Sequence, residues 1–338
     1  MIRIGILGAA RIAPRAIVEP AISRPDVEVR CVSARDPLRA REFAAKYAIP
    51  FVEDSYEAVL SRDDLDLIYI PLPPALHAEW TIRALEHGKD VLCEKPFATS
   101  SEEAARMVET AQRCGRHLIE AFHYRFHPVM QRAIALVAEN AFGRLTSAEA
   151  YFEAAVPYPD TLWNGELGCG ALTDLGCYPI HALRTLMGEP TVLESSARWE
   201  HGTHAEIDTR LRFPNNVPAR IICKLVDGSP PGTRQCWLRL EGEQGLMMIT
   251  NFIVPHLYTC TFSTTIRGVE RQEPVSGVTT YQAQMDHLAD VLQNGVPPLT
   301  GGADAIANVK TIENIRAAIG DIAKSGNQAD EKARQAMM

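Results

Sequence analysis

Two residues far apart in the sequence have side chains that could take part in catalysis, and the first is a lysine. The segment DVLCEKPF, residues 90–97, places Lys95 directly after an apolar strand, where a charged amine requires solvent, a carboxylate partner or a chemical role. Such an amine can donate a hydrogen bond to a substrate oxygen, and burial or nearby positive charge would lower its pKa. Glu94 either orients the lysine or forms a strand-end salt bridge with it. Pro96 fixes the chain direction, and an X–Pro bond can be cis in a tight turn.

The second candidate is Tyr178, within GALTDLGCYPIHALRTLMG at residues 170–188. Asp174, Tyr178 and His181 follow the spacing i, i+4 and i+7, which places them on one face of a helix. A phenol with an ordinary pKa of about 10 is an acid at neutral pH, and a nearby amine would lower that pKa for the reverse proton transfer. Pro179 opposes an unbroken helix, so we expect a helix start or a kink near it. For His181 we favour packing within the helix over a chemical role.

These side chains need a framework, and the first third of the chain predicts one. Helical segments joined by short links separate apolar strands at residues 2–7, 27–33, 65–71, 91–93 and 117–120. Repeated strand–helix units predict a parallel sheet wrapped by helices, with its ligand at the carboxyl ends of the strands. We therefore predict an α/β N-terminal Rossmann domain at residues 1–121.

The turn after the first strand, GILGAARIA, has the arrangement that binds a dinucleotide pyrophosphate at a helix N-terminus. Gly8, Ala10 and Ala13 match the three positions of G-x-G-x-x-G/A, with alanine in place of the middle glycine. The alanine methyl group moves the backbone away from the phosphates, so the match is imperfect. The alternative is a tight strand–helix turn without a ligand.

The end of the second strand predicts which dinucleotide is bound. Ser33 stands where an Asp or Glu on the ribose would favour NAD. Arg35 and Arg39 follow, and the guanidinium fork matches the geometry of a 2′-phosphate. We therefore favour NADP over NAD. The alternative is that both arginines are solvated charges at the start of a helix.

After Glu120 the pattern changes to alternating stretches that predict strands. In one of them Cys236, Leu238 and Leu240 alternate with larger or polar residues. Many successive strands with few helices predict a large, mostly antiparallel open sheet that packs one face on helices. We predict a C-terminal α+β domain at residues 122–325 and a low-order tail at 326–338.

Five stretches of the sequence together resemble the Gfo/Idh/MocA oxidoreductases: CEKPFA, GILGAARIA, YIPLPPALHAEW, EAFHYRFHP and the segment around Tyr178. The specific motifs cover residues 1 to about 190, and they are most similar to the branch of glucose–fructose oxidoreductase, xylose dehydrogenases and dimeric dihydrodiol dehydrogenase. The resemblance implies NAD(P)-dependent hydride transfer, with Tyr178 as acid–base where many relatives have histidine. It also implies a homodimer or homotetramer through the open sheet face, and late helices that pack near the first domain. Pro74 departs from the family, since asparagine is common there.

The candidate residues fall into three sets. The predicted catalytic residues are Lys95, Tyr178 and Asp174, and the last could orient a substrate hydroxyl or the lysine. The predicted cofactor-binding residues are Gly8, Ala10, Arg11, Ile12, Ser33, Arg35, Pro71, Leu72, His77, Glu94 and Lys95. The predicted substrate-binding residues are Tyr124, Arg125, Trp163, Asp174 and Tyr178. Arg125 contacts a polyol oxygen or braces the domain junction, with bracing slightly favoured, and Trp163 would stack on an apolar sugar face.

Composition excludes several other classes of protein. The net charge of −8 argues against a nucleic-acid partner, and no apolar run approaches the ~18 to 20 residues of a membrane span. A strand-like run beginning at Arg3 argues against a secretory signal, and eight scattered cysteines are typical of a reduced cytoplasmic protein. His201 and His204 have no evident third ligand, so we predict no metal site.

Three functions remain open. The main hypothesis is an NAD(P)-dependent oxidoreductase acting on a monosaccharide, polyol or diol. The second is an enzyme that keeps its cofactor bound and uses it transiently, as glycoside-cleaving relatives do. The third is a dinucleotide sensor without catalysis, which predicts a broken lysine–tyrosine pair, whereas both residues are present.

Overall fold

The computed structural model describes residues 1–228 and 232–335, with the side chains of 321–335 excepted. These residues form two compact units. The first unit comprises Met1–Gln131, Ile253–Tyr258 and Ser276–Val309, and the second comprises Arg132–Phe252, Thr259–Val275 and the described chain from Lys310. The predicted domains 1–121 and 122–325 follow chain order, whereas each unit gathers separate segments. The side chains of the predicted low-order tail, 326–338, lie outside the described residues.

The first unit is built on a six-stranded parallel sheet. Its strands are β1 Ile2–Leu7, β2 Val27–Ser33, β3 Phe51–Val52, β4 Leu67–Ile70, β5 Asp90–Cys93 and β6 Leu118–Glu120. Their spatial order is β3-β2-β1-β4-β5-β6, so the chain reverses direction across the sheet between β1 and β4. In such sheets a ligand binds beside the carboxyl ends of the strands at this reversal. The β1 and β4 strands are almost wholly buried because helices cover both faces.

Helices from both ends of the chain cover this sheet. The helices that follow its strands are α1 Glu19–Ile22, α2 Pro37–Tyr47, α3 Tyr56–Leu60, α4 His77–Glu86 and α5 Ser101–Cys114. Later in the chain, Tyr281, Met285 and Leu288 belong to the same buried apolar cluster as β1. Distant segments of the sequence therefore complete one hydrophobic core.

The second unit is built on an eight-stranded sheet with the order β14-β13-β12-β11-β7-β10-β9-β8. Its strands are β7 Leu145–Ala155, β8 Thr191–Glu200, β9 Thr203–Phe213, β10 Val217–Val226, β11 Arg234–Gly242, β12 Gly245–Thr250, β13 Phe262–Ile266 and β14 Val269–Gln272. All neighbours pair antiparallel except β7 and β10, which are parallel. Burial alternates along β9 and β10, so one face is covered and the other is open. The predicted fold class is confirmed.

The remaining helices are α6 Pro128–Ala138, α7 Cys177–Met187, α8 Thr280–Asn294 and α9 Gly302–Gln335. A π-helical turn, Ala171–Gly176, runs directly into α7. Pro179 lies in the first turn of α7, directly after the change from π-helical to α-helical conformation at Gly176. The expected helix start near Tyr178 is therefore present. Within the described residues, no helix combines the length and apolar character needed to cross a membrane.

Candidate active site

The turn after β1 has a backbone conformation that favours glycine. Gly8 has φ of +112°, and its N–H donates to the Ser33 carbonyl at 2.7 Å. A Cβ atom at this position would lie 3.1 Å from Leu72 Cδ2. The next residues are Ala10, which is half-buried, and Arg11, which is exposed. A π-helical turn then begins at Pro14. A turn that brings backbone amides to the end of a parallel sheet fits a dinucleotide pyrophosphate.

The end of β2 differs in detail from the sequence expectation. Ser33 is fully buried, and its Oγ has no hydrogen-bond partner among the described residues. Arg35 is exposed and makes no ion pair within the described part of the chain, so its guanidinium is available to a phosphate. Asp36 caps α2 by accepting from the Leu38 amide at 2.9 Å. The arginine, rather than the serine, therefore presents a surface to a ligand.

Tyr56 is a residue of this region that sequence reasoning missed. Its hydroxyl lies 3.9 Å from the position that a Cβ on Gly8 would take. Burial raises the pKa of the Tyr56 phenol, while the Arg35 guanidinium and backbone amide oppose that rise. The ring packs edge-on against Trp80, with 4.8 Å between centroids. A lone tyrosine in an amphipathic helix carries no motif, so nothing in the sequence indicated this placement.

The lysine motif follows the end of β5, and its carboxylate is buried. Glu94 Oε1 accepts from the Tyr69 hydroxyl at 2.7 Å, and Oε2 accepts from the Lys95 backbone amide at 3.3 Å. Burial raises the pKa of Glu94, and the positive charge of Lys95 opposes the rise. The Lys95–Pro96 peptide bond is cis, and Lys95 itself is half-buried. Glu94 thus fixes the backbone from which the lysine side chain extends.

His77 joins two of the predicted cofactor-binding turns. Nδ1 lies 2.8 Å from the Pro96 carbonyl, and Nε2 lies 2.7 Å from the Leu72 carbonyl. The ring is fully buried, and burial lowers its pKa, so the neutral imidazole donates to one of these carbonyls at a time. Because both nitrogens face protein carbonyls, a cofactor contact would be left to the ring carbons. His77 holds the turn at Pro71 and Leu72 against the turn after Lys95.

Tyr124 and Arg125 lie in a short 3₁₀ turn, His123–Phe126. Tyr124 is fully buried, so contact with a substrate would require this turn to move. Burial lowers the pKa of Arg125, and its buried Nη1 has no hydrogen-bond partner among the described residues. The neighbouring His123 packs against Tyr281 and lies 2.9 Å from the Thr280 hydroxyl. The segment is thus held against α8, while a substrate role for these two residues stays a prediction.

In the second unit, the π-helical turn and α7 carry the residues of the tyrosine motif. Asp174 is buried, and its Oδ2 accepts from the Gly170 amide at 2.7 Å. Tyr178 is 7% exposed, and its ring packs edge-on against Phe152 with 5.8 Å between centroids. His181 is 1% exposed, so the preference for a packing role agrees with its burial. Tyr178 as a whole residue thus retains a small accessible surface.

Trp163 is more enclosed than a sugar-stacking residue would need to be. It is 3% exposed, and its indole N–H donates to the Val156 carbonyl at 2.8 Å. One ring edge contacts His201, with 5.0 Å between centroids. Stacking on a sugar would therefore require the loop around Trp163 to open.

One group of metal-ligating side chains occurs among the described residues. Glu200, His201 and Asp227 bring one ligand atom each to within 4.8 Å of one another. His201 is thus grouped with two carboxylates rather than with His204, whose ring packs on Trp199. Because Nε2 of His201 lies 3.0 Å from Asp227 Oδ2, a hydrogen bond accounts for the arrangement. Two of the three residues are exposed, and the group carries no metal proposal.

A dinucleotide turn at the reversal of a parallel sheet, with a lysine after a neighbouring strand, defines a Rossmann-type oxidoreductase. A family model described as "Oxidoreductase family, NAD-binding Rossmann fold" matches residues 2–122. A second, described as "GFO/IDH/MocA C-terminal domain", matches residues 130–248. The chain therefore belongs to the Gfo/Idh/MocA oxidoreductase family, and the predicted family membership and enzyme class are confirmed.

Three similar proteins illustrate the range of the family. D-xylose 1-dehydrogenase (NADP(+)) 2 of Haloferax volcanii is 30% identical over 92% of this chain and 95% of its own length. Trans-1,2-dihydrobenzene-1,2-diol dehydrogenase of Xenopus laevis is 29% identical over 74% of this chain and 75% of its own length. A 3-ketoreductase from Actinomadura kijaniata, crystallised with NADP and TDP-benzene, superposes with a TM-score of 0.85 at 26% identity. That alignment covers 94% of this chain and 97% of the ketoreductase.

Proposed function

We propose that this protein is an NADP-dependent dehydrogenase or reductase acting on a CH–OH or carbonyl carbon of a sugar, polyol or diol. The observation that carries the proposal is the Lys95 turn. A buried glutamate fixes its backbone, and His77 ties it to the turn after β4. Relatives named for D-xylose, a dihydrodiol and 3-keto sugars support the substrate class. The Actinomadura ketoreductase has also been crystallised as a tyrosine-to-phenylalanine variant and as a lysine-to-alanine variant, each with NADP and TDP-benzene. These are the same two residue types that we propose to act here.

The proposed mechanism assigns one task to each polar group. NADP(H), held by the turn at Gly8 and by Arg35, would accept or supply the hydride. Lys95 donates a hydrogen bond to the reacting substrate oxygen, and its charge favours the phenolate form of Tyr178. In oxidation, Tyr178 takes the hydroxyl proton as the carbon–hydrogen bond breaks, and in reduction it returns a proton to the carbonyl oxygen. Asp174 orients the substrate hydroxyl.

A spectrophotometric screen tests this proposal directly. Aldoses, polyols and diols are incubated with NADP or NAD, and the corresponding carbonyl compounds with the reduced cofactors, while absorbance is followed at about 340 nm. We expect a stoichiometric change in absorbance with product, and a preference for the NADP couple. Product without net cofactor consumption would support transient use of a bound cofactor instead. Cofactor binding without conversion of any substrate would support a sensor.

The preference for NADP is expected to depend on Arg35. Replacing Ser33 with aspartate would bury a carboxylate at a fully buried position, so that variant confounds cofactor choice with stability. Arg35→Ala removes an exposed guanidinium instead, and we expect Kd for NADP to rise about 10- to 100-fold with little change for NAD. Titration of cofactor fluorescence measures both constants. Arg41→Ala, an exposed arginine on the helix α2 that follows, is the matched control. Equal losses for NADP and NAD in Arg35→Ala would contradict the assignment.

We also propose that the open face of the eight-stranded sheet forms a homodimer or homotetramer. Tyr151 and Trp237 stack on this face, with 5.6 Å between centroids and 8° between planes. Trp237→Glu places a charge beside the ring of Tyr151, and we expect it to yield monomers, because an unpaired charge is costly to bury in an interface. Light scattering after size exclusion measures the mass. Leu38→Glu, exposed on the first unit, is the control, and an unchanged oligomer in Trp237→Glu would exclude this face.

The cellular location is proposed on chemical grounds. None of the eight cysteines forms a disulfide in the described structure, and six of them are buried. Reduced, buried thiols are typical of a reducing compartment. We place the enzyme in the cytoplasm.

A further inference from the structure

The hairpin turn between β8 and β9 is built around a histidine in an uncommon conformation. Glu200 pairs with Thr203, so His201 and Gly202 are the only residues of the loop. They have φ of +50° and +81°, the two left-handed positions of a type I′ turn. Asparagine or glycine is usual at the first of them, and histidine is accommodated less often. The histidine side chain is therefore a candidate for a role beyond closing the turn.

The ring of His201 joins three segments of the second unit. It stacks on Tyr158, with 4.0 Å between centroids and 14° between planes, and meets the edge of Trp163. Its Nε2 lies 3.0 Å from Asp227 Oδ2, and Asp227 Oδ1 accepts from the Tyr158 amide at 2.9 Å. His201, Tyr158 and Asp227 therefore each contact the other two. The Tyr158 amide and His201 lower the pKa of Asp227, so its carboxylate is charged at neutral pH.

The same turn also holds the chain that leads to Asp174. Thr203 Oγ1 donates to the Cys169 carbonyl at 2.8 Å. A Cβ at Gly170 would collide with Thr203 Oγ1, so this residue packs directly against the turn. Gly170 in turn donates its amide to the Asp174 carboxylate. The hairpin thus contacts both ends of the loop 156–170, which carries Trp163 and runs into the helix of Tyr178.

We propose that His201 is a positioning residue that raises substrate affinity by holding the loop 156–170 against the β8–β9 turn. This inference rests on the proposed function, in which Tyr178 transfers the proton. His201 touches the loop and not the reacting atoms, so its loss acts on substrate binding rather than on the chemical step. A loosened loop holds Gly170 and, through its amide, the Asp174 carboxylate less firmly, so ordering Asp174 on the substrate hydroxyl then draws on binding free energy.

The variant His201→Asn tests the proposal while keeping the turn, because asparagine favours the left-handed conformation. Arg267→Asn is the matched control, since Arg267 and Gly268 form the same two-residue turn between β13 and β14, with φ of +50° and +79°. We expect His201→Asn to raise KM about tenfold with kcat within about threefold, and to increase amide hydrogen exchange across 156–170. The control is expected to change neither quantity. His201→Phe, which keeps the stacking without the hydrogen bond, is expected to fall between them.

Each outcome decides a separate question. Unchanged exchange and unchanged KM in His201→Asn would overturn the proposal, and so would a fall in kcat at constant KM. Hydrogen exchange reports the loop without turnover, so increased exchange supports the positioning role even if no substrate is found. Absence of turnover in the wild-type protein would count against the proposed function alone. Zn²⁺ that raises Tm of the wild-type protein but not of His201→Asn would overturn positioning in favour of a metal site.

Discussion

Lys95→Met is expected to lower kcat/KM by about 10²- to 10⁴-fold while Kd for NADP changes little. Methionine has nearly the length of lysine but no charge and no N–H, so in the proposed mechanism the substrate oxygen loses its hydrogen-bond donor. The backbone contacts of the turn survive, because Glu94 binds the Lys95 amide and His77 faces the Pro96 carbonyl. Steady-state kinetics and a cofactor titration measure the two quantities.

Two companion variants make the lysine experiment decisive. Lys46→Met removes an exposed charge from α2 and is expected to retain full activity. Lys95→Arg keeps the charge but replaces a compact ammonium by a planar fork, and we expect only partial recovery of turnover. Unchanged turnover in Lys95→Met, with the substrate found in the screen, would dismiss Lys95 from the chemistry. A large loss of NADP binding would instead make it a cofactor ligand.

Local sequence patterns predicted the strands and helices of the first unit, because each of these elements is specified by residues close together in the sequence. The apolar strands, the turn at Gly8 and the helix caps are each encoded within a few residues. The Rossmann part of the fold class followed from them, whereas the family was indicated by the resemblance of motifs such as CEKPFA. The parallel pairing of β7 with β10 was not predictable in the same way. About sixty residues lie between these two strands, and the alternation of buried and exposed side chains along a strand is the same whether it pairs parallel or antiparallel.

The details of the site depend on burial and on contacts between distant residues, which a sequence does not display. Nothing near Ser33 indicates that its side chain is enclosed, so the sequence predicts a cofactor contact for Ser33 as well as for Arg35. The sequence predicts that His77 binds the cofactor, whereas both of its ring nitrogens lie against backbone carbonyls of the protein itself. The contact of His201 with Asp227 brings together residues that no motif connects. The spacing of residues in the sequence indicated which side chains could take part in catalysis or binding. The tertiary contacts determine the burial and the hydrogen-bond partners of each one.

Tyr178→Phe is expected to lower kcat by about 10²- to 10⁴-fold, because it removes the group that we propose to exchange a proton with the substrate oxygen. The ring keeps its edge-on contact with Phe152, so stability is expected to fall by no more than about 0.5–1.5 kcal/mol for lost hydrogen bonding. Turnover and thermal unfolding are measured on the same preparation. Tyr47→Phe, which removes a phenol hydroxyl from the first unit, is the matched control.

Combining the two substitutions tests whether the amine and the phenol act on one substrate. If Lys95 works partly by tuning Tyr178, the double variant loses far less than the product of the single losses, because residues that act as a unit are not additive. Independent roles give losses that multiply. Activity retained in Tyr178→Phe would shift the proton to Asp174 or His181, and Asp174→Asn would be the first to examine because His181 has almost no accessible surface. Multiplying losses in the double variant would contradict the shared site on which the mechanism depends.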